Sequence, residues 1–485
     1  MPDPGLLLAL FDFLAFFLIC HVIGSAILAV VPLRVRDAVP PYALFGSAAL
    51  AIQLWFFGFA HIPWNAGTLL LPWIVAFVVI LPRLRQRLRS QLACAASIIR
   101  RLPRIDPLSG GLAAISLLLI GFYLLNSVLH PIWGWDGVAF WAFKARLFFL
   151  DQRVDPASPA LRAVPHILAV RNQEYPPLFP LMLASTYVFS GRVNESLGNT
   201  INLLALLAVL PTLLSALRRL LGIRLALAVG FLFVALPAAY PIFIDGIYLG
   251  YADYLEACWI LLALLYLQAG AVNDSSADVL AVACAAGAAL TKDEGTPLLV
   301  FLLAVLIVRR AWLWRRDRVL PPGRQVAIAA VCVLPVIIWH FTWSLPGSIT
   351  PMMLNQHPLS VLPLLPSRAL TIVRIVASFA SRTNTDYWMA LALVLCLVLL
   401  AANRFRTGAG LAVVFFLQLL AYLAAYLFTP IDIVQHLEAS ADRIILQLAP
   451  ALILLVAVSL APFLAPPAEA VDVRREQLAA SGQSL

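Results

Sequence analysis

Long apolar runs, separated by short polar connectors, recur along the whole chain and constrain its fold more than any other feature. A helix needs about 20 apolar residues to cross about 30 Å of hydrocarbon. With 62% apolar and 12% charged residues, the chain is not an ordinary water-soluble globule. The pattern predicts an all-α fold, a polytopic transmembrane helical bundle of about 13 membrane helices. The windows are 5–31, 41–60, 67–82, 112–130, 195–217, 224–244, 252–271, 277–291, 295–310, 325–345, 386–402, 409–428 and 444–464.

The placement of arginine predicts the orientation of this bundle. Basic residues beside membrane helices are retained on the cytoplasmic side. With an external amino terminus, 22 of the 33 basic residues fall in cytoplasmic segments, above all in 83–104 and 309–324. The external segments 131–195 and 346–385 then hold much of the remaining polar sequence. We therefore expect a functional site on the outer face.

The same pattern divides the chain into three parts. Residues 1–110 form three membrane helices and a basic amphipathic helix on the cytoplasmic surface, and 111–345 form a membrane core with a large first outer loop. Residues 346–485 add further membrane helices, a second outer loop and a short cytoplasmic tail. The net charge of +9 is spread over short cytoplasmic loops, so it indicates membrane lipids rather than nucleic acid as partners.

An aspartate among aromatic residues opens the first outer loop, in the stretch WGWDGVAFWAFKARLFF. Asp136 follows the fourth window directly, where partial burial would suit it to accept a proton. The alternative is that Asp136 caps the helix that starts at Gly137, and the two roles are compatible. Trp133 and Trp135 are candidates for substrate binding, although an aromatic belt at the membrane surface explains each of them equally simply.

A short apolar helix is expected later in the same loop. Pro176 and Pro177 can open a helix at Leu178 whose apolar stretch, about 12 residues, covers only about 18 Å and is too short to span. We predict a juxtamembrane or re-entrant helix with Glu174 and Tyr175 at its mouth.

The sequence GAALTKDEGTPLLVFLL predicts a charged turn below the outer surface. The apolar segments on either side are ten or eleven residues long and would cover only about 15 to 17 Å. A charge exposed to lipid at mid-membrane costs about 2.5 to 3.5 kcal/mol, so Lys292 and Glu294 should face a water-filled cavity or a bound anion. An internal pair of Lys292 with Asp293 or Glu294 is the alternative.

Two further outer-face segments carry candidate residues. Asp253 opens the seventh window, where it can cap that helix or join a polar site with Asp136. His436 and Arg443 precede the last window, and Arg443 can reach a phosphate from the membrane edge.

The order of these features resembles the GT-C superfamily of membrane glycosyltransferases. The branch it is most similar to uses polyprenyl-phosphate sugars and includes protein O-mannosyltransferases and the bacterial lipid A aminoarabinose transferase. The resemblance covers residues 127–320 well and the remainder loosely. It implies a GT-C-like catalytic core within 111–345, outer-face juxtamembrane helices, and a site facing the periplasm or cell exterior from the bacterial inner (cytoplasmic) membrane.

Residue by residue, the resemblance implies that Asp136 is the catalytic base and that Lys292 lies near the lipid phosphate of the donor. The stretch 175–178 matches the juxtamembrane PPL element. Many relatives have a glutamate where this chain has Gly137, so a second acid must come from elsewhere, and Glu174 or Asp253 can supply it.

The implied activity is inverting transfer of a sugar from a polyprenyl-phosphate donor to an envelope acceptor, which is a lipid, a glycan or a protein. The departing phosphate needs cations, for which the candidates are Lys292, Arg443 and Arg382. Tyr175, Glu294 and His436 join the two tryptophans as candidates for substrate binding.

Two other classes remain open. A secondary transporter or lipid flippase would also need many helices and buried charges, but it is expected to show internal repeats, and none is visible. The other is an oligosaccharide polymerase or ligase that uses undecaprenyl diphosphate. No cofactor is required by the proposed chemistry, and a divalent cation held by Asp136, Glu174 and Asp253 stays open.

Overall fold

The computed structural model describes residues 4–31, 39–101, 106–154, 175–239, 247, 250–270, 275–318, 321–342, 362–382, 387–404, 408–429 and 432–464. Within these ranges the chain forms helices, turns and no β-strand. The first helices are α1 Pro4–Val30, α2 Tyr42–Phe59, α3 Ala66–Arg101, α4 Pro107–Leu129, α5 Phe143–Asp151, α6 Leu178–Ser190, α7 Glu195–Gly198, α8 Ile201–Ala239 and α9 Asp253–Ala269. The others are α10 Ser275–Thr291, α11 Gly295–Asp317, α12 Gly323–Thr342, α13 Leu365–Arg382, α14 Tyr387–Ala402, α15 Ala409–Leu427, α16 Ile433–Leu446 and α17 Ala449–Leu464.

Among the described residues, 10 helical segments are long and apolar enough to cross a membrane. The chain is therefore an all-α polytopic membrane protein. Each of these segments coincides with one of the apolar windows of the sequence. The three remaining windows also form helices, but α9 and α10 have 17 residues and α14 has 16. At about 1.5 Å per residue, these three cover only about 24 to 26 Å.

The helix α8 is a hairpin of two membrane-crossing arms. The backbone leaves helical geometry at Gly222, where φ is +76°, a conformation that favours glycine. Gly230 in the second arm lies against the side chains of Leu210 and Leu214 in the first arm. The two arms are therefore antiparallel, and Gly222 makes the turn between them.

The basic segment after the third window differs from expectation. We predicted a separate surface helix over 83–104, whereas α3 continues from its apolar part to Arg101 as one helix of 36 residues. Its apolar and amphipathic parts are therefore continuous in backbone structure. Pro82 lies inside the helix near the junction of the two parts.

Helix α9 lies at the centre of the bundle. It packs against α8, α10, α11, α15, α16 and α17. Every residue from Asp253 to Leu267 is buried, including two acids. The buried side chains of α1, α9 and α17 belong to one continuous apolar core, so the three parts of the chain pack as a single body.

The two ends of the bundle differ in their charges. At one end, Asp278 at the start of α10 accepts from Arg309 and from Arg310, whose Nε lies 2.9 Å from Asp278 Oδ2. The arginines of α3 and Arg224 belong to this end, which we call the arginine-rich end. The opposite end, where α4 finishes and α9, α11 and α17 begin, carries most of the candidate residues and is called the acidic end.

Candidate functional site

Asp136 and Arg443 form an ion pair at the acidic end, although 307 positions separate them. Asp136 precedes a turn of π-helix, Gly137–Ala142, but its side chain makes no capping hydrogen bond, so the capping alternative is not what the structure shows. Arg443 lies in the last turn of α16, with its Cζ 5.5 Å from the centre of the Tyr251 ring. The Tyr251 ring and the Asp136 carboxylate together hold the Arg443 guanidinium near the start of α9.

Asp253, the first residue of α9, receives two hydrogen bonds on one oxygen. Lys292 Nζ donates to Asp253 Oδ1 at 3.0 Å, and Gln447 Nε2 donates to the same atom at 2.7 Å. Tyr422 donates to Gln447 Oε1 at 2.8 Å, which fixes the orientation of the amide. Asp253 therefore joins α9 to the turn before α11 and to the start of α17.

Lys292 also contacts Glu294, with Nζ and Oε1 3.1 Å apart. The internal pair that the sequence suggested as an alternative is thus present, and Asp253 extends it. Burial alone would lower the pKa of the Lys292 ammonium, but the carboxylates of Asp253 and Glu294 raise this pKa well above its ordinary value. Lys292 is accordingly a fixed positive charge.

The turn that carries Lys292 is shaped by a close approach of two helices. A Cβ on Gly295 would lie 2.2 Å from the carbonyl carbon of Ala288, so α11 can start here only with glycine at that position. The amide of Gly295 donates to the carbonyl of Lys292 at 3.1 Å and closes the turn.

The helices around this turn are longer than predicted, and the reason we gave for its recessed position is wrong. We expected ten or eleven residues on each side, but α10 and α11 have 17 and 23. Both continue into polar sequence at the arginine-rich end, where Asp278 forms ion pairs with both Arg309 and Arg310. Lys292 is nevertheless buried, and its ammonium contacts Asp253 at the start of α9.

Exposure decreases from the mouth of this cluster to its floor. The side chains of Asp136, Arg443 and Glu294 are 20 to 23% exposed, and those of Lys292 and Asp253 are 8% and 6% exposed. One turn further along α9, Glu256 is fully buried. We call this polar cluster, whose exposure falls from the acidic end into the bundle, the funnel.

An aromatic wall lines one side of the funnel. The rings of Trp141 and Tyr175 are 5.3 Å apart, and Lys144 Nζ lies 5.9 Å and 5.7 Å from their respective centres. Burial raises the pKa of the Tyr175 phenol, and the nearby carboxylate of Glu294 adds to this rise. Helix α6, which follows Tyr175, is buried inside the bundle from Leu178 to Val188, as a re-entrant helix would be.

Among the described residues, Trp133, Trp135 and His436 lie apart from these ion pairs. Trp133 and Trp135 are 61% and 69% exposed on the surface near the mouth. His436 accepts or donates through Nδ1 to Thr429 Oγ1 at 2.8 Å and packs on the Tyr426 ring, and burial lowers its pKa. Glu174 lies outside the described residues, as does the side chain of Arg382 at the end of α13.

Four polar residues of the cluster were not predicted from the sequence: Gln447, Tyr422, Gln418 and Glu256. A signal existed for two of them, since Glu256 and Gln418 interrupt otherwise apolar helices. Gln418 Nε2 donates to the backbone carbonyl of Glu294 at 2.7 Å, so it also holds the turn.

The cluster combines charges that suit two kinds of chemistry. Arg443 at the mouth and Lys292 below it can hold an anionic group, and a carboxylate such as Asp136 can take a proton. No group of three or more His, Cys, Asp or Glu side chains within the described ranges is arranged to hold a metal ion.

Comparison with known proteins adds no assignment. No family model matches the chain, and neither a curated protein nor a solved structure matches it significantly. The cluster must be interpreted from its own chemistry.

Proposed function

We propose that the chain is an inverting glycosyltransferase that moves a sugar from a polyprenyl-phosphate donor to an envelope acceptor. The observation that carries this proposal is the contact of Asp136 with Arg443 beside the pair of Asp253 and Lys292. Transfer from a lipid phosphate needs a base for the acceptor and cations for the departing phosphate within one site. The funnel offers both, at the mouth of a membrane bundle where a lipid-linked donor is available.

In the proposed reaction, the acceptor hydroxyl oxygen forms a bond to the anomeric carbon of the sugar. The bond from that carbon to the phosphate oxygen breaks, and the polyprenyl phosphate leaves with the electron pair. Asp136 takes the hydroxyl proton. Attack on the face opposite the leaving group inverts the anomeric configuration, as in glycosidases that use direct displacement.

Both cations are paired with carboxylates in this structure, and the pairing supports a specific order of events. A phosphate that enters the funnel competes with Asp136 for Arg443, and with Glu294 for Lys292. When Arg443 turns to the phosphate, the Asp136 carboxylate is released and can contact the acceptor hydroxyl. The donor therefore frees the base, which stays paired with Arg443 until a sugar is present.

The wider proposal includes a GT-C fold of about 13 membrane helices. The site would face the periplasm or cell exterior from the bacterial inner membrane.

The remaining residues have proposed roles around this centre. Asp253 is proposed as the second acid of the site, and its carboxylate orients the Lys292 ammonium. Glu174 and Arg382 are proposed to complete the acceptor and phosphate sites. Trp133, Trp135 and Tyr175 are proposed to contact the substrates from the mouth.

The proposal is tested by comparing envelope glycans and glycolipids from a deletion strain with those of the same strain complemented with the wild-type gene. Mass spectrometry should show one component in the complemented strain that carries an added sugar, and the mass difference identifies that sugar. Identical envelopes in the two strains would contradict the proposal.

The stereochemistry gives a second test. Nuclear magnetic resonance of the purified product and donor should show opposite anomeric configurations. Retention of configuration would exclude direct displacement with Asp136 as base.

A further inference from the structure

Glu256 is an acid that the proposed transfer does not use. It lies three residues after Asp253 on α9, and therefore about 4.5 Å further into the bundle along the helix axis. Its side chain is fully buried, and neither carboxyl oxygen has a hydrogen-bond partner among the described residues. A buried ionised carboxylate without a partner is strongly unfavourable, and such a group normally becomes neutral instead.

Two other polar atoms of the cluster have the same deficiency. Glu294 Oε2 and Gln418 Oε1 are buried and lack a hydrogen-bond partner in the described part of the chain. Both atoms are acceptors. Two donors of the cluster are already used, since Gln418 Nε2 donates to the carbonyl of Glu294 and Tyr422 donates to Gln447.

The cluster thus contains four unpaired acceptor oxygens, two on Glu256 and one each on Glu294 and Gln418.

The charges that act on Glu256 come from Glu294, Asp253 and Asp293, which are negative, and from Lys292, which is positive. From α15, Tyr422 also interacts electrostatically with Glu256 and Glu294. This site has more hydrogen-bond acceptors than donors and more carboxylates than cations. It is therefore suited to bind a positively charged hydrogen-bond donor.

We propose that Glu256 is a proton-binding site. Its carboxylate takes a proton from hydronium, which leaves water, and the resulting O–H donates to Gln418 Oε1 or to Glu294 Oε2. One proton thereby removes a buried negative charge and satisfies two atoms. This inference does not depend on what the protein transfers, because it follows from the buried acceptors alone.

A proton bound to Glu256 affects how Lys292 binds anions. Neutral Glu256 leaves Lys292 to the carboxylates of Asp253 and Glu294, the arrangement that the structure shows. An ionised Glu256 would add a third carboxylate beneath the same ammonium and weaken its hold on any anion at the mouth. The proton at Glu256 therefore keeps Lys292 competent to bind an anionic group.

Infrared spectroscopy of the purified full-length protein in lipid nanodiscs tests the proposal directly, because a protonated carboxylic acid has a carbonyl band that ionised carboxylates lack. The wild type at neutral and mildly alkaline pH should show this band. Glu256→Gln should lose it and keep its thermal midpoint, since a neutral amide replaces a neutral acid of the same shape. Glu438→Gln, at an exposed glutamate of α16, is the matched control and should keep the band.

Three results would overturn the proposal. The first is a wild-type spectrum without the band, which would mean that water satisfies the acceptors. The second is an identical band in Glu256→Gln. The third is a thermal midpoint that rises with sodium in the wild type but not in Glu256→Gln, which would identify the ligand as a cation. If Glu256→Gln does not fold, Glu256→Asp must shift the band, and an unshifted band would contradict the assignment.

Discussion

Arg443 is the residue that connects the two proposed halves of the site. Its guanidinium contacts Asp136 and lies over the Tyr251 ring, and the charge of Asp253 also acts on it. A planar guanidinium can exchange a carboxylate for a phosphate, which it can bind through two of its N–H groups. We infer that its resting contact with Asp136 is the unliganded state of a phosphate site.

This inference predicts that Arg443→Gln strongly lowers the rate of sugar transfer but lowers the stability of the fold only moderately. The two side chains are 23% and 21% exposed, so the loss of the pair should cost more than that of a surface pair but less than that of a fully buried one, about 1 to 3 kcal/mol. Sugar transfer should fall at least about 100-fold, because a cation that stabilises the departing charge is lost. Thermal midpoints and transfer rates of the purified variant provide the measurements.

The control for this variant is Arg146→Gln. It breaks an arginine–glutamate pair with Glu195 at the same end of the bundle but away from the funnel. Transfer should continue at close to the wild-type rate. Equal losses in both variants would show that Arg443 acts only through stability.

Lys292 belongs to a buried network, so its removal should act on stability first. Lys292→Met leaves Asp253 and Glu294 without their cation and should destabilise the protein by about 3 to 5 kcal/mol. Adding Asp253→Asn should restore part of this loss, because it removes one of the stranded charges. Thermal unfolding of both single variants and the double variant measures the coupling, and strictly additive effects would contradict the network.

At the scale of elements, the turn between α10 and α11 sets the position of Lys292. Helix periodicity and the charged TKDE sequence predicted the turn, but the predicted helices were too short. The error arose because hydropathy ends a helix at its first charges, whereas Asp278 pairs with both Arg309 and Arg310 and the helices continue. Pairing across helices is a tertiary property that single-sequence periodicity does not contain.

The packing of this turn predicts the effect of Gly295→Ala. The new Cβ would approach the backbone of Ala288 to 2.2 Å, so the turn must move and displace Lys292 from Asp253. We expect a lower thermal midpoint and a loss of transfer of at least about tenfold, since small displacements in a site are costly. Gly323→Ala, where an added Cβ meets nothing within 4 Å, should leave both properties unchanged. Wild-type transfer by Gly295→Ala would show that the turn does not position the site.

At the scale of the whole molecule, charge separates the two ends of the bundle. Apolar windows predicted where helices occur, and arginine placement predicted which loops share an end. The association of Asp136 with Arg443 followed only loosely from sequence, because both belong to predicted outer segments. The contributions of Gln447 and Glu256 could not be foreseen, since the face of α9 that meets α15 and α17 depends on packing.

The predicted sidedness can be measured with single cysteines. Glu438→Cys places a thiol on the exposed acidic end, and Asp317→Cys places one on the arginine-rich end. A membrane-impermeant maleimide should label the first in intact cells whose outer barrier is permeable, and the second only after lysis. The reverse labelling pattern would contradict an outward-facing funnel.

The central claim is that the funnel performs sugar transfer with Asp136 as the base, and one substitution tests it most directly. Asp136→Asn keeps the size of the side chain but cannot accept the hydroxyl proton. The deletion strain complemented with this variant should show the glycan masses of the uncomplemented strain, although the protein is folded and in the membrane. Complementation with Asp317→Asn, at an exposed aspartate of the other end, should restore the wild-type masses. Wild-type glycan masses with Asp136→Asn would contradict the claim.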